Sequence, residues 1–444
     1  MKLSLRNGVI LATGMAIGIA LAIGQGVLAE REDTSMPLPL NELRTFSEVF
    51  ADIKSSYVEP VDDKELLENA IQGMLSGLDP HSAYLDARDY EDLKVGTTGE
   101  FGGLGIEVSL QADGFVEVIA PIDDTPAQRA GIKAGDLIIR LDDTPVKGLT
   151  LREAVDIMRG KPGSSILLTV VRKDEDKPLK ISIVRDIIKV KSVKAQMLED
   201  GYGYVRISQF QANSGTNMIA AIDDLKDQGG GSLKGLILDL RNNPGGVLNA
   251  AVEVSDAFLD KGLIVYTKGR TSDSDIKFNA TPPDILNGVP MIVLINVGSA
   301  SASEIVAGAL QDQKRAIIMG SRSFGKGSVQ TVMPLKDGNA LKLTTALYYT
   351  PSGRSIQAEG IKPDISLENI QLSSAAKPEF SPLTEASLSG HLDNADKAKM
   401  EEKKTDTNKE GEDGKKESAE DIVKGDYQLY EALTLLKGLH ILQQ

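Results

Sequence analysis

Two short runs, Gly235–Leu240 and Pro290–Val297, are almost continuously apolar. An alternating strand can leave one face in water, but a run without alternation must be covered on both faces. These runs therefore predict central strands of a layered α/β block, the rest of which occupies about 188–370. Helices are expected in the residues leading to Leu225, over Val247–Leu259 and over Ser301–Leu310.

The flanking segments read differently. Leu43, Phe46, Val49, Phe50 and Ile53 recur at helical spacing, and Leu66, Leu67, Ala70, Ile71, Met74 and Leu75 do so again. Tyr57-Val58-Glu59-Pro60 breaks the first helix, and Leu78-Asp79-Pro80-His81 ends the second. This helical region, 40–95, fits a small cap or a dimerisation arm equally well. Ahead of it, Lys2 and Arg6 precede an uncharged, mostly apolar stretch from Val9 to Ile23, and Val27-Leu28-Ala29 reads as a small-residue cleavage site. Residues 1–29 are thus expected to be a signal peptide; uncut, they would attach the chain to the inner membrane. Glu30, Glu32 and Asp33 place the remainder of the chain in the periplasm or otherwise outside the cytoplasm. No Cys ends the run, which excludes a lipid-anchored lipoprotein. Residues 375–422 are a charged linker too polar to order itself, and 424–444 regain periodicity with Tyr427, Tyr430, Leu433, Leu436, Leu439 and Ile441. This terminal helix is expected to pack on its own domain or, the preferred reading, on a neighbouring subunit.

Composition narrows the chemistry. Lys and Arg number 49 against 64 Asp and Glu, a net charge of −15, so a nucleic-acid partner is not expected. The absence of Cys removes disulfides, a thiolate nucleophile, a zinc ribbon and an iron–sulfur cluster. No metal or other cofactor is expected. The three histidines, His81, His391 and His440, all lie outside the α/β block. His81, beside Pro80 at an apolar helix end, is read as structural or superficial.

Between 98 and 186 the pattern becomes short strands: Ile106–Val108, Phe115–Ile119, Gly135–Leu141, Ser165–Val171 and Leu179–Val184, with a helix over Leu151–Met158. This order, opened by Gly102-Gly103-Leu104-Gly105-Ile106 and continued by Pro126-Ala127-Gln128-Arg129-Ala130-Gly131-Ile132-Lys133-Ala134-Gly135-Asp136, resembles a PDZ domain. Glycines in such a loop let successive N–H groups converge on a terminal carboxylate, while the next strand pairs with an extended peptide. Gly103, Leu104, Gly105 and Ile106 are the candidate carboxylate loop.

Three pieces of the α/β block look chemical. Gly298-Ser299-Ala300-Ser301-Ala302-Ser303-Glu304 follows a buried strand and opens a helix, where unpaired N–H groups can meet a developing oxyanion. The plain alternative is a capping box of Ser301 and Glu304. Ser323-Phe324-Gly325-Lys326-Gly327-Ser328-Val329-Gln330 nearly spells a phosphate loop, but Gly327 replaces the magnesium-binding hydroxyl and a strand, not a helix, is expected next. Nucleotide binding is rejected. What remains is a lysine between glycines that burial can turn into a base, or else a surface lysine in a hairpin. Asp239-Leu240-Arg241-Asn242-Asn243-Pro244-Gly245-Gly246 ends a strand in a glycine turn that can present a bare N–H. A nucleophilic serine needs a base, and with no histidine in the block the candidate is Lys326. Ala300 and Ala302 flank Ser301, so the nucleophile elbow of α/β-hydrolases does not fit.

Together with the PDZ-like segment, Tyr348-Tyr349-Thr350-Pro351-Ser352-Gly353-Arg354 and Gly360-Ile361-Lys362-Pro363-Asp364, these pieces resemble the carboxyl-terminal processing (tail-specific) serine proteases over roughly Leu40–Leu367. The resemblance implies a multidomain α/β (α+β) fold: a helical N-terminal segment, a PDZ domain and a ClpP/crotonase-like protease core. It implies a serine endopeptidase with Ser301 as nucleophile, Lys326, 25 positions on, as base, and Gln330 orienting the amine. Strand alternation independently puts 326, 328 and 330 on one face. The oxyanion would meet the N–H of Ala302 and that of Gly245, with Gly246 the lesser candidate. The resemblance further implies substrates with free, unstructured C-termini, gating by the PDZ domain and, in some relatives, a lipoprotein adaptor; a homo-oligomer is expected from the helical arm and the terminal helix. Two other classes compete: a non-catalytic PDZ scaffold and a crotonase-like acyl-chain enzyme needing no Lys326.

Overall fold

The computed structural model describes residues 38–173, 175–367 and 425–443. The expected signal segment, 1–29, the charged linker, 375–422, and His391 lie outside the described residues. The chain divides into two units, Met1–Gly73 and Met74–Gln444. The first holds the helix Leu40–Ser56 and most of a second, Asp63–Ser76. Leu40–Ser56 buries none of its residues. Among the described residues no helix is long and apolar enough to cross a membrane.

The second unit is built on a six-stranded sheet in the order Val193–Glu199, Tyr202–Ile207, Gly235–Asp239, Met291–Ile295, Ile317–Gly320 and Ile365–Ser366. The first pair is antiparallel and the others are parallel. Both expected central strands are present. Leu236, Leu238, Val293 and Ile295 pack against the helices Ser214–Gln228, Leu248–Asp256 and Ala302–Asp312 through Met218, Ile222, Ala251, Val254, Val306 and Leu310. Ile237, Ile292, Leu294 and Met319 point the other way.

That second face is covered by the terminal helix Tyr427–Gln443, through Leu429, Ala432, Leu433 and Leu436. Of the two alternatives for this helix, the structure shows packing on its own domain: it roofs its own sheet. The reason is the strands' lack of alternation, which leaves an apolar second face that must be covered. An ion-pair lock reinforces the docking. The fully buried Asp239 accepts from Tyr204 (2.8 Å), Arg206 (3.1 Å) and Arg241 (2.7 Å). Arg241 also donates to Asp426 (2.7 and 2.9 Å) at the head of the helix.

A second sheet places Ala83–Leu85, Ala340–Tyr349, Leu263–Gly269 and Lys277–Asn279 side by side, with Ser328–Pro334 also paired to Ala340–Tyr349. The strand Ala83–Leu85, which follows the break at Leu78–His81, is an element that the sequence reading of 40–95 did not include. Three residues are too few to show a period, and their extended shape is imposed by pairing Ala83 to Lys342 and Leu85 to Ala340. The helix Ala87–Thr98 comes next, capped by Asp86, whose carboxylate accepts the Asp89 N–H at 2.7 Å.

The PDZ strands form in the expected order, Ile106–Leu110, Val116–Pro121, Leu137–Leu141, Ser165–Val171 and Leu179–Val184, with the helix Leu151–Met158 and a capping box between Thr150 and Glu153. Glu100–Gly103 pairs with Asp186–Lys189, joining the segments just outside the first and last of these strands.

Truncating Leu436, which is fully buried against the sheet, should lower the free energy of unfolding by about 2–5 kcal/mol, because a cavity opens under the helix. Urea denaturation of Leu436→Ala measures this; an unchanged midpoint would mean that the helix does not cover the sheet.

Candidate active site

The site is assembled by three loops at one end of the core sheet. The strand Met291–Ile295 runs into Gly298–Ser301, after which the helix Ala302–Asp312 begins. The three serines of this turn have distinct fates. Ser299 is fully buried; its hydroxyl donates to the Leu240 carbonyl (2.8 Å) and accepts from the Asn296 N–H (2.9 Å). The buried Ser303 donates to the Asn243 carbonyl at 2.9 Å. Both tie the turn to the 240–243 loop. Ser301, between them, is half-buried and lines a cleft of about 510 Å³. Its backbone sits at φ 55°, ψ −110°, outside the regions a side chain prefers. Such a conformation costs about 1–3 kcal/mol and persists only where surrounding contacts impose it.

The contact that imposes it is Glu304, fully buried one turn into the helix. One carboxylate oxygen accepts the Ser301 N–H (2.7 Å) and the Lys326 N–H (2.9 Å). The other accepts the Ser323 hydroxyl (2.6 Å) and the Gly325 N–H (2.7 Å). Burial raises the Glu304 pKa, while these hydrogen bonds act in the opposite direction. Capping accounts for half of the role of Glu304; its reach to a loop 19 to 22 positions away has no signature in spacing. The Tyr348 hydroxyl makes a second tie, lying 3.1 Å from the Ser301 carbonyl and against that of Lys326. Burial raises the Tyr348 pKa well above the ordinary value, so the phenol stays a donor.

Lys326 lines the same cleft as Ser301, with Gln330, Ala302, Gly246 and Lys342. Its pKa is lowered chiefly by burial and further by Lys342, against the pull of Asp79 and Glu304. The segment after it is the strand Ser328–Pro334, as expected in rejecting a phosphate loop. His81 lies nearer than its sequence position suggested. Burial and the charge of Lys326 both lower its pKa, although it does not line the cleft.

Gly245 packs directly under Ser301: a Cβ there would lie 2.7 Å from the Ala300 carbonyl and 2.8 Å from Ser301 Cβ. With φ 100°, the position requires glycine. Its N–H, expected to face the oxyanion, donates instead to Asn243 Oδ1 at 2.9 Å. Gly246 lines the cleft, and so does Ala302, whose N–H at the first helical position precedes any intrahelical bond.

In the PDZ domain, Gly103, Leu104, Gly105 and Ile106 line a groove of about 160 Å³ with Phe101, Val155, Met158 and Arg159. The Leu104 carbonyl accepts from Ala127 and that of Gly105 from Ile122 and Thr125, which fixes the loop.

Ser301→Gly should be more stable than Ser301→Ala by about 1 kcal/mol, since only glycine adopts the positive φ freely. Ser299→Ala should lose about 1–3 kcal/mol by stranding the Asn296 N–H and the Leu240 carbonyl. Thermal and urea unfolding of the three variants check both expectations.

Comparison with known proteins agrees with this architecture. The family model for peptidase family S41 matches residues 201–367, that for the PDZ domain residues 102–183, and that for the N-terminal domain of the activating protease CtpB residues 23–89. The chain is 47% identical over 436 residues to the carboxy-terminal-processing protease of Bartonella bacilliformis, covering 98% of this chain and 96% of that one. It is 36% identical over 324 residues to the carboxy-terminal processing protease CtpA of Bacillus subtilis, covering 72% and 68%. The solved photosystem II D1 C-terminal processing protease is 33% identical, with 74% of this chain and 88% of that chain covered and a TM-score of 0.43. The chain therefore belongs to the carboxy-terminal processing proteases of peptidase family S41 and carries a PDZ domain.

Proposed function

We propose that this chain is an exported serine endopeptidase that processes or degrades proteins from their C-terminal tails with a Ser301–Lys326 dyad. The observation that carries the reading is that Glu304 and Tyr348 each bond to both the Ser301 and the Lys326 segments, at a cleft where burial lowers the lysine pKa. In this reading the neutral Lys326 amine takes the proton of the Ser301 hydroxyl as Oγ attacks the peptide carbonyl. The oxyanion forms beside the Ala302 N–H and the 245–246 turn. Lys326 passes its proton to the leaving amine as the C–N bond breaks, leaving an acyl group on Ser301; it then takes a proton from water as hydroxide adds to the ester, and returns that proton to Ser301 Oγ as the acyl C–O bond breaks and the acid leaves. Gln330 orients the lysine. A Gly245 donor would have to exchange its bond to Asn243.

The PDZ groove takes the substrate's carboxylate at Gly103–Ile106, and the peptide pairs with the strand Ile106–Leu110. A gating role is supported by the helix Ala87–Thr98. Its Asp92, Leu93, Gly96 and Thr97 line the catalytic cleft, while Asp92 accepts from Arg159 (2.6 Å), which also lines the PDZ groove. Export to the periplasm is supported by the charge and apolar pattern of residues 1–33. Self-association is supported by the exposed Leu40, Leu43, Phe46 and Val49 on the first helix.

With β-casein and the chain from Glu30 onward, Ser301→Ala and Lys326→Met should each reduce turnover by at least about 10³-fold. The parent kcat/KM should rise with pH through the lowered Lys326 pKa and level off above it, because only the unprotonated amine accepts a proton. Undiminished turnover by Lys326→Met would overturn the dyad. Amidating the C-terminus of a peptide substrate should raise KM, which tests the carboxylate loop.

A further inference from the structure

Gln330 lies opposite Thr344 because of an irregularity in the sheet. Ser328 pairs with Leu347 and Val329 with Ala346, but the next partner of Gln330 is Thr344, so Thr345 is an extra residue. Such a bulge re-aims the side chains around it. Here it brings Thr344 onto the Gln330 side, and the Gln330 amide nitrogen donates to Ser328 Oγ (3.0 Å) and to Thr344 Oγ1 (3.2 Å). Both amide hydrogens are then engaged, and the carbonyl end, Oε1, is left to accept from a donor in the cleft.

The Thr344 hydroxyl can accept from Gln330 in this way only if its own hydrogen points elsewhere. It points to Asp79, with Thr344 Oγ1 3.0 Å from Asp79 Oδ1. Asp79 is itself fixed. It accepts the Ser82 hydroxyl (2.6 Å) and the N–H groups of His81 (2.8 Å) and Ser82 (2.9 Å). The Ser82 oxygen in turn accepts the Thr344 N–H at 3.1 Å. These bonds, the Ser82 hydroxyl foremost, hold the Asp79 pKa down to about 2, so the carboxylate can only accept. Had the Thr344 hydroxyl no acceptor at Asp79, it could turn and donate to the glutamine carbonyl, and the amide could flip.

We propose that Asp79 and Thr344 are positioning residues that lock the Gln330 amide with its oxygen toward the Lys326 amine, directing the amine's lone pair at Ser301. A neutral amine has two hydrogens and one lone pair; donating one hydrogen to Gln330 Oε1 fixes the direction of the pair. The inference rests on the Ser301–Lys326 reading and adds to it a shell of residues that never meets substrate. The turn at 79–82, which in sequence is only a helix terminator, would thereby act on the catalytic lysine.

The test is a double-mutant cycle on the purified protein, with kcat, KM and the pH profile measured on one peptide substrate. Thr344→Val should lower kcat about tenfold or more with KM little changed, and Thr344→Ser should restore it. In a Gln330→Ala background, Thr344→Val should cost no more than about a further twofold, because its effect runs through the glutamine. Asp79→Asn should lower kcat and also move the acid limb of the profile to lower pH. The charged and titratable groups that face Lys326 are Asp79, Glu304, Lys342 and His81, and the loss of one carboxylate leaves the ammonium less stabilised. An equal loss from Thr344→Val with and without Gln330, or a loss of kcat that tracks only the fall in unfolding midpoint, would overturn the proposal. Retained activity in Lys326→Met would instead overturn the dyad on which it rests.

Discussion

A single buried carboxylate holds the candidate site together. Glu304 accepts from the segment of Ser301 on one side and from Ser323, Gly325 and Lys326 on the other. Removing a carboxylate from water is expensive, and the cost is offset only where hydrogen bonds surround it. Four donors meet that condition here. Because all four belong to the two loops that carry Ser301 and Lys326, the electrostatic need of the carboxylate fixes their separation. The strained backbone at Ser301 is tolerated for the same reason: its N–H is anchored where the turn would otherwise relax.

The core sheet supplies the platform for this arrangement. Three helices cover one face and the terminal helix the other, so the strand ends that launch the 240–246 and 296–301 loops are rigid from both sides. The lock of Asp239, Arg241 and Asp426 sits at the root of the 240–246 loop. The terminal helix thus bears on a loop of the candidate site that its own residues do not enter. Ser299 and Ser303 complete the stitching, and only the middle serine of the three projects into the cleft.

The helix Ala87–Thr98 gives the PDZ domain a physical route to the cleft. Arg159 and Arg152 reach Asp92 from the PDZ side, and Gln209 of the core donates to the Gly96 carbonyl at 3.1 Å. Arg159 lines the PDZ groove, so a change there that moved it would act through Asp92 on a helix that lines the cleft. Ion pairs with exposed partners are individually weak, so such a link can be exchanged without unfolding the domain.

Much of this was legible in the chain itself. Unbroken apolar runs determined two central strands, glycine placement and strand order determined the PDZ domain, and the lack of a histidine in the block made Lys326 the candidate base. These are local or compositional signals, set by a residue's own backbone freedom, polarity and neighbours. What lay beyond them depends on partners distant in sequence. Ala83–Leu85 is a strand because Ala340–Tyr349 offers it hydrogen bonds, the Gly245 N–H turns to Asn243, and Asp79 reaches Thr344 across 265 positions. The terminal helix was legible as a helix, but its place on its own sheet was not. Periodicity fixes which face of an element is apolar; only the assembled tertiary structure decides which surface covers it.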